Sequence, residues 1–190
     1  MKKTYLLLLI TLIIGLLSGC GLFPDKEKAA QDEKEINNEN ITTKSSKHEK
    51  TTVGKIEFEG ITMKIPESFK RILLPDDSGI PYILYEFGET TSFNVIAEDL
   101  SDIPEITLEE YRKNSIASKD LEYISNEYYE LNGKEVNEVV ALRADGIKLQ
   151  QTTMIHNGKG YVFTYGPIPE NYEKDLPVIK GILKSVSFID

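Results

Sequence analysis

Three dipeptides in the second half of the chain restrict what it can fold into: Asn132-Gly133, Asp145-Gly146 and Asn157-Gly158. Such pairs suit type I′ turns, whose two central residues both need φ > 0. They separate residues 121–131, 134–143, 147–156 and 159–166, each rich in β-branched and aromatic residues. Strand-like runs punctuated this often predict an antiparallel meander.

Alternation supports the strands. Leu121, Tyr123, Tyr129 and Leu131 are expected to share a face. So are Val136, Val140 and Leu142, then Ile147, Leu149 and Ile155, then Tyr161, Phe163 and Tyr165. The residues between them are more polar, which predicts a sheet solvated on one side. Upstream, Ile56-Glu57-Phe58 and residues 61–65 read as a hairpin about Glu59-Gly60, ended by Pro66. Residues 82–87 and 92–98 read as two further strands, and 69–74 as a short turn packed on the sheet.

Two helices are predicted. Thr107-Leu108-Glu109-Glu110 is a capping-box pattern, with the carboxylate three residues after the cap, and the run to Ser118 turns Leu108, Tyr111 and Ile116 inward. Over 169–184, Tyr172, Leu176, Ile179, Ile182 and Leu183 recur at helical spacing. Pro177 should kink that helix or divide its first turn from the rest. Residues 186–189 are expected to close a sheet edge. The class is α+β: an antiparallel β-sheet meander with two helices packed on it.

The N-terminus sets the address. Lys2 and Lys3 precede an apolar run over 4–17, and Leu17-Ser18-Gly19-Cys20 follows, holding the only cysteine of the 190 residues. The run is shorter than the roughly 20 residues of a spanning helix and fits a cleaved signal. The four residues resemble a bacterial lipobox, with residues 1–19 as a lipoprotein signal peptide and Cys20 as the lipidation site. The resemblance implies diacylglyceryl attachment to the thiol and cleavage before it. The alternative is an uncleaved anchor with a chance cysteine. Without a second thiol, no disulfide or cysteine-ligated metal site is available to the mature chain.

Residues 20–54 are mostly charged and polar, too poor in apolar groups to repay ordering, and read as a tether. Its length corresponds to about 110 Å fully extended. Residues 55–190 form one domain with 14 Lys and Arg against 24 Asp and Glu. That acidity argues against nucleic acid or anionic lipid as the domain's partner.

Motifs for catalysis are few. His48 lies in the tether, and His156 stands beside Asn157-Gly158 with no second His or Cys near it in sequence. A Ser-His-Asp triad would have to recruit His156, and no Gly-x-Ser-x-Gly elbow is present. Asp76-Asp77 and Glu98-Asp99 with Asp102 could supply oxygen ligands to a cation only if they converged. They read as solvated loops. The chain is therefore expected to be no enzyme and to carry no catalytic residue, metal or cofactor. Five of ten tyrosines fall in the meander. Tyr123, Tyr129, Tyr161 and Tyr165 are the candidate interaction surface, since tyrosine joins an apolar body to a polar tip. The competing reading is strand propensity and core packing.

The order of these features resembles a known superfamily. Phe58-Glu59-Gly60-Ile61 leads to Ile65-Pro66-Glu67-Ser68-Phe69; then come Asn94-Val95, the helix start at Thr107, and Leu131-Asn132-Gly133. Gly160-Tyr161-Val162-Phe163-Thr164-Tyr165 and the closing Ile182-Leu183-Lys184-Ser185-Val186 complete it. The pattern is similar to PsbP-like and DcrB-like domains, with Phe69 where members often carry Trp. The resemblance covers about residues 55–190. It implies an α-β-α sandwich with the helices on opposite faces, and accessory or binding roles. The expected function is that of an extracytoplasmic lipoprotein, lipid-anchored to the bacterial cell membrane, acting as an interaction module toward another envelope protein. The alternative is a small-ligand or cation-binding lipoprotein.

Overall fold

The computed structural model describes residues 53–73, 79–88, 91–115 and 121–189. Cys20, the signal and the tether as far as residue 52 lie outside the described residues, as do Asp76, Asp77 and Ile116; Val53 and Gly54, read as the end of the tether, instead begin the first strand, paired with Pro66 and Ile65. The strands are β1 (Val53–Phe58), β2 (Ile61–Pro66), β3 (Lys70–Ile72), β4 (Tyr82–Phe87), β5 (Thr91–Asp99), β6 (Leu121–Leu131), β7 (Lys134–Arg143), β8 (Lys148–His156), β9 (Lys159–Gly166) and β10 (Ser187–Phe188). Helix α1 (Leu108–Ser115) links β5 to β6, and α2 (Tyr172–Lys184) follows a 3₁₀ turn at Pro169–Asn171.

The strands form two antiparallel sheets rather than the one expected. The larger runs β3-β4-β5-β9-β8-β7-β6 and the smaller β1-β2-β10. The meander returns so that β9 lies beside β5, with Val95 opposite Phe163 and Ala97 opposite Tyr161. This leaves β6 at one edge and the three-residue β3 at the other. The last strand pairs with β2, with Ser187 opposite Thr62, and so extends the small sheet instead of closing the large one. Residues 69–74 also depart from expectation. Phe69 is buried and stacks on Phe87 at 4.6 Å, and the strand β3 follows it.

The turns obey their backbone chemistry. Asn132 and Gly133, and Asn157 and Gly158, take φ of +52°, +75°, +47° and +71°, as type I′ turns require. At Asp145-Gly146 only Gly146 is left-handed, at φ +85°. Gly146 N donates to Arg143 O and Arg143 N to Ile147 O, at 2.9 Å each. The loop thus has three residues, a turn followed by a left-handed glycine, and β8 starts at Lys148.

Over its central strands the large sheet is covered on both faces, which corrects the expectation of a solvated one. On the first face Phe93, Val95, Phe163 and Tyr165 pack with Ile179, Ile182 and Leu183 of α2 and with Ile61, Met63 and Ile65 of β2. On the second face Ile96 and Val162 pack with Leu100, Ile80 and Tyr111 of α1. The two helices therefore lie on opposite faces. The capping box of α1 is reciprocal: Glu110 N donates to Thr107 Oγ1 at 3.2 Å, and Thr107 N to Glu110 Oε2 at 3.0 Å. Helix α2 runs unbroken through Pro177, which sits on its exposed side. The break falls earlier, between the 3₁₀ turn and Tyr172. The carbonyl that loses a donor to Pro177 is that of Glu173, in the exposed first turn, where water can replace the bond.

Candidate interaction surface

Strand β6 is the longest among the described residues, yet most of it is exposed. As an edge strand it has one neighbour, β7, with Tyr129 opposite Val136 and Tyr123 opposite Ala141. A register shift between Tyr123 and Ser125 leaves Ile124 without an opposite residue. A single inserted residue reverses which side chains face which way. Leu121 and Tyr123 therefore lie on the α1 face, and Tyr129 and Leu131 on the α2 face; the four do not share one face as the alternation predicts. The exposed large apolar groups concentrate here: Tyr123 at 49 %, Ile124 at 54 %, Tyr128 at 43 % and Tyr129 at 37 %.

The hairpin end of β6 is held firmly. Asn132, already committed to the turn, donates from Nδ2 to Val186 O at 2.7 Å and to Lys184 O at 3.1 Å. It thereby caps the end of α2 and fixes the β6–β7 turn to it. Tyr129 Oη donates to Glu138 Oε2 at 3.0 Å, and Gln150 Nε2 donates to the same oxygen at 2.8 Å. Burial and the Glu138 charge push the Tyr129 phenol up from its ordinary range. Tyr128, Tyr129, Glu130 and Glu135 line a shallow groove of about 270 Å³.

Tyr161 and Tyr165 do not belong to this surface. Both are only 1 % exposed, because β9 lies mid-sheet and their face carries α2 and the small sheet. Tyr161 Oη donates to Glu59 O at 2.7 Å, tying the β1–β2 turn to the large sheet. Lys159 Nζ reinforces the tie with Glu59 Oε2 at 2.7 Å. Tyr165 Oη donates to Tyr172 O at 3.2 Å, and Tyr172 Oη to Gln150 Oε1 at 3.2 Å. Burial, aided by Glu138 and Glu173, pushes the Tyr172 phenol up to about 12. These tyrosines are core members with satisfied hydroxyls, and the surface is better described by Tyr123, Ile124, Tyr128 and Tyr129.

The face under α1 has a different character, which the sequence reading did not foresee. Asn94, Glu98, Asn137 and Thr153 are buried there, yet Asn94 Oδ1, Asn137 Oδ1 and Thr153 Oγ1 have no hydrogen-bond partner. Arg112 Nε of α1 shares that condition, and the Tyr111 hydroxyl lies beside the Glu98 carboxyl. Asn137 and Thr153 are direct neighbours on β7 and β8, whereas Glu98 lies on β5 opposite Gly160. The Tyr111 ring rests on Gly160, where a Cβ would strike it. Burial holds the Glu98 carboxyl above the usual carboxylate range, and the Tyr111 hydroxyl beside it opposes that shift. Burial and the Glu98 charge push the Tyr111 phenol up in turn.

Other sequence candidates are not brought together. Glu98 is buried while Asp99 is exposed and accepts from Ser101 N at 2.9 Å, so the two carboxylates point apart. Among the described residues no three His, Cys, Asp or Glu side chains group as a metal site. His156 is buried against the Phe188 ring, with centroids 4.1 Å apart. No helix among the described residues is long and apolar enough to cross a membrane.

Two antiparallel sheets with helices on opposite faces of the larger define a PsbP-like fold. The solution structure of cyanobacterial PsbP (CyanoP) from Synechocystis sp. PCC 6803 is similar, with a TM-score of 0.56 at 13 % identity, over 76 % of this chain and 97 % of that one. LpqN of Mycobacterium tuberculosis, involved in cell envelope biogenesis, reaches a TM-score of 0.47 at 10 % identity, over 75 % of this chain and 87 % of its own. PA94 of Pseudomonas aeruginosa, a protein of unknown function, gives 0.46 at 12 % identity, over 70 % and 94 %. No protein-family model and no curated protein sequence matches the chain. At these identities the likeness to CyanoP is one of fold alone, and function has to be argued from the site.

Proposed function

We propose that this chain is an extracytoplasmic lipoprotein, anchored through Cys20 to the bacterial cell membrane, whose domain is a non-enzymatic accessory module for another protein of the cell envelope. The observation that carries the reading is the pairing of a lipobox-like Leu17-Ser18-Gly19-Cys20 with a folded domain that leaves the long strand β6 exposed. Contiguous exposed apolar groups rimmed by charge mark interaction sites. The acidic domain sits poorly against anionic headgroups, so the lipid holds the chain at the membrane while the domain stays available to a protein.

The test has two parts. Cys20→Ala should move the chain from the detergent phase to the aqueous phase, or leave it unprocessed. Chemical cross-linking in the native envelope should give one reproducible protein adduct. Unchanged partitioning rejects the anchor, and the absence of any adduct rejects the accessory role.

A second reading, a small-ligand or cation-binding lipoprotein, is favoured by the partnerless buried polar atoms under α1. A buried polar atom without a partner costs about 1–3 kcal/mol, so a polar molecule lodged there would stabilise the fold. Thermal shifts with Ca²⁺, Mn²⁺ and small polar metabolites test it, since a ligand of the native state raises Tm.

A further inference from the structure

Resting on the accessory-module reading, the structure points to how the partner is held. We infer that β6 is a docking edge that accepts an extended basic segment of a partner protein as an eighth strand of the large sheet.

The backbone supplies the first argument. Leu131 and Lys134 flank a two-residue type I′ turn and face each other. Such flanking residues form a hydrogen-bonded pair, and pairs alternate from there. Residues 131, 129, 127 and 125 thus spend their N–H and C=O groups on β7. Asn126, Tyr128 and Glu130 turn theirs to the open side. Three consecutive outward positions supply the template that an added strand uses in β-augmentation.

The side chains supply the second. An incoming strand would meet Glu127 and Tyr129 on one face and Asn126, Tyr128 and Glu130 on the other. The groove lined by Tyr128, Tyr129, Glu130 and Glu135 lies alongside. Apolar area is therefore available on both faces, as strand pairing requires for side-chain specificity.

Charge selects the occupant. Strand β6 carries Glu122, Glu127 and Glu130 and no Lys or Arg, and Glu135 on β7 stands opposite Glu130. A second copy of this chain would bring like charges together, and charged edges are a known guard against such pairing. A segment in which Lys or Arg alternates with apolar residues places opposite charge against the glutamates, which favours encounter and fixes register.

The probe is a fluorescent nine-residue peptide alternating valine with lysine, titrated against the full lipidated chain in zwitterionic nanodiscs, with empty nanodiscs as reference. Binding should protect residues 121–131 from amide exchange. The same peptide with glutamate in place of lysine should not bind. Glu130→Pro, which removes an outward N–H and no β6–β7 bond, should weaken binding at least tenfold. The double variant Glu127→Gln/Glu130→Gln leaves the backbone intact and should also weaken it about tenfold, since the loss of two charges costs little in fold but much in attraction. Equal binding of both peptides, no binding at millimolar peptide, or protection elsewhere than 121–131 overturns the inference. If it is overturned while envelope cross-linking still yields an adduct, the accessory role stands and only the edge is discarded.

Discussion

Strands β9 and β6 are both rich in tyrosine and meet opposite fates. In β9, Tyr161 and Tyr165 sit between two neighbouring strands and under a helix and a second sheet, and each hydroxyl finds a carbonyl. In β6, Tyr123, Tyr128 and Tyr129 have one neighbouring strand; Asn132 ties its hairpin end to the end of α2, while Tyr129 Oη donates to Glu138 and Asn137 Nδ2 donates to Asn126 Oδ1 and Glu127 O across to β7. The same residue type thus builds the core in one place and a surface in another. What separates them is the number of elements packed against the strand. The fold knows how to protect an edge, since β3 at the opposite side is three residues long and carries Lys70 and Arg71. Leaving β6 long and aromatic is a difference that the architecture itself does not demand.

Substitutions can break or sharpen this contrast. The largest effect is expected at the centre. Tyr165→Ala empties a closely packed site and should cost about 3–5 kcal/mol in urea unfolding. Gly160→Ala should cost about 1–3 kcal/mol, because the added methyl meets the Tyr111 ring; a loss near zero would mean that α1 is not seated as described. Tyr161→Phe keeps the ring and removes the bond to Glu59 O, for about 1 kcal/mol. At the edge, Tyr128→Ala should change stability by about 0.5 kcal/mol or less, as for most exposed positions. A loss at Tyr128 rivalling that at Tyr165 would erase the distinction between core and surface.

A second contrast lies between the faces of the large sheet. Under α2 the buried hydroxyls of Tyr161, Tyr165 and Tyr172 all donate. Under α1, Asn94 Oδ1, Asn137 Oδ1 and Thr153 Oγ1 are buried without partners, and the buried Glu98 carboxyl has the Tyr111 hydroxyl beside it. Glu98 then makes stability depend on pH with a defined sign. Its folded pKa lies above the unfolded value, here 4.5. Below that value the carboxyl is protonated in both states and its burial is least harmful. As pH rises through the folded pKa the unfolded chain ionises more readily, and stability falls. Glu98→Gln should therefore raise Tm at pH 7 and nearly match the parent at pH 4, as read by calorimetry. A variant less stable at both pH values would mean that the contact with the Tyr111 hydroxyl outweighs the cost of burying the carboxyl.

Much of the large sheet was legible from the chain because its signals are local. Asn132-Gly133 and Asn157-Gly158 carry their φ preference with them, so the bounds of β6, β7 and β9 follow. The capping box at Thr107 and the helical spacing of Ile179, Ile182 and Leu183 are local in the same sense. Pairings distant in sequence were not legible. Nothing near Ser187 says that its strand lies against Thr62, and nothing near Val95 says that Phe163 is its neighbour. The candidate surface was half legible for the same reason. Tyrosine alternation cannot tell a central strand from an edge, and the insertion of Ile124 reverses parity without a glycine to announce it. The polar groups under α1, Asn137 and Thr153 among them, looked like solvent-facing positions until a helix covered them.

The central claim is that the tethered domain meets its partner along β6. Photo-cross-linkable phenylalanine placed singly at Tyr123 and Tyr128 on β6, at Arg71 on β3 and at Pro177 on α2 tests it in the native envelope. All four positions are exposed, so each reports contact without disturbing the core. An adduct of one size from Tyr123 and Tyr128, with none from Arg71 or Pro177, is the predicted result. An adduct from Arg71 or Pro177 with none from β6, or no adduct from any position, would contradict it.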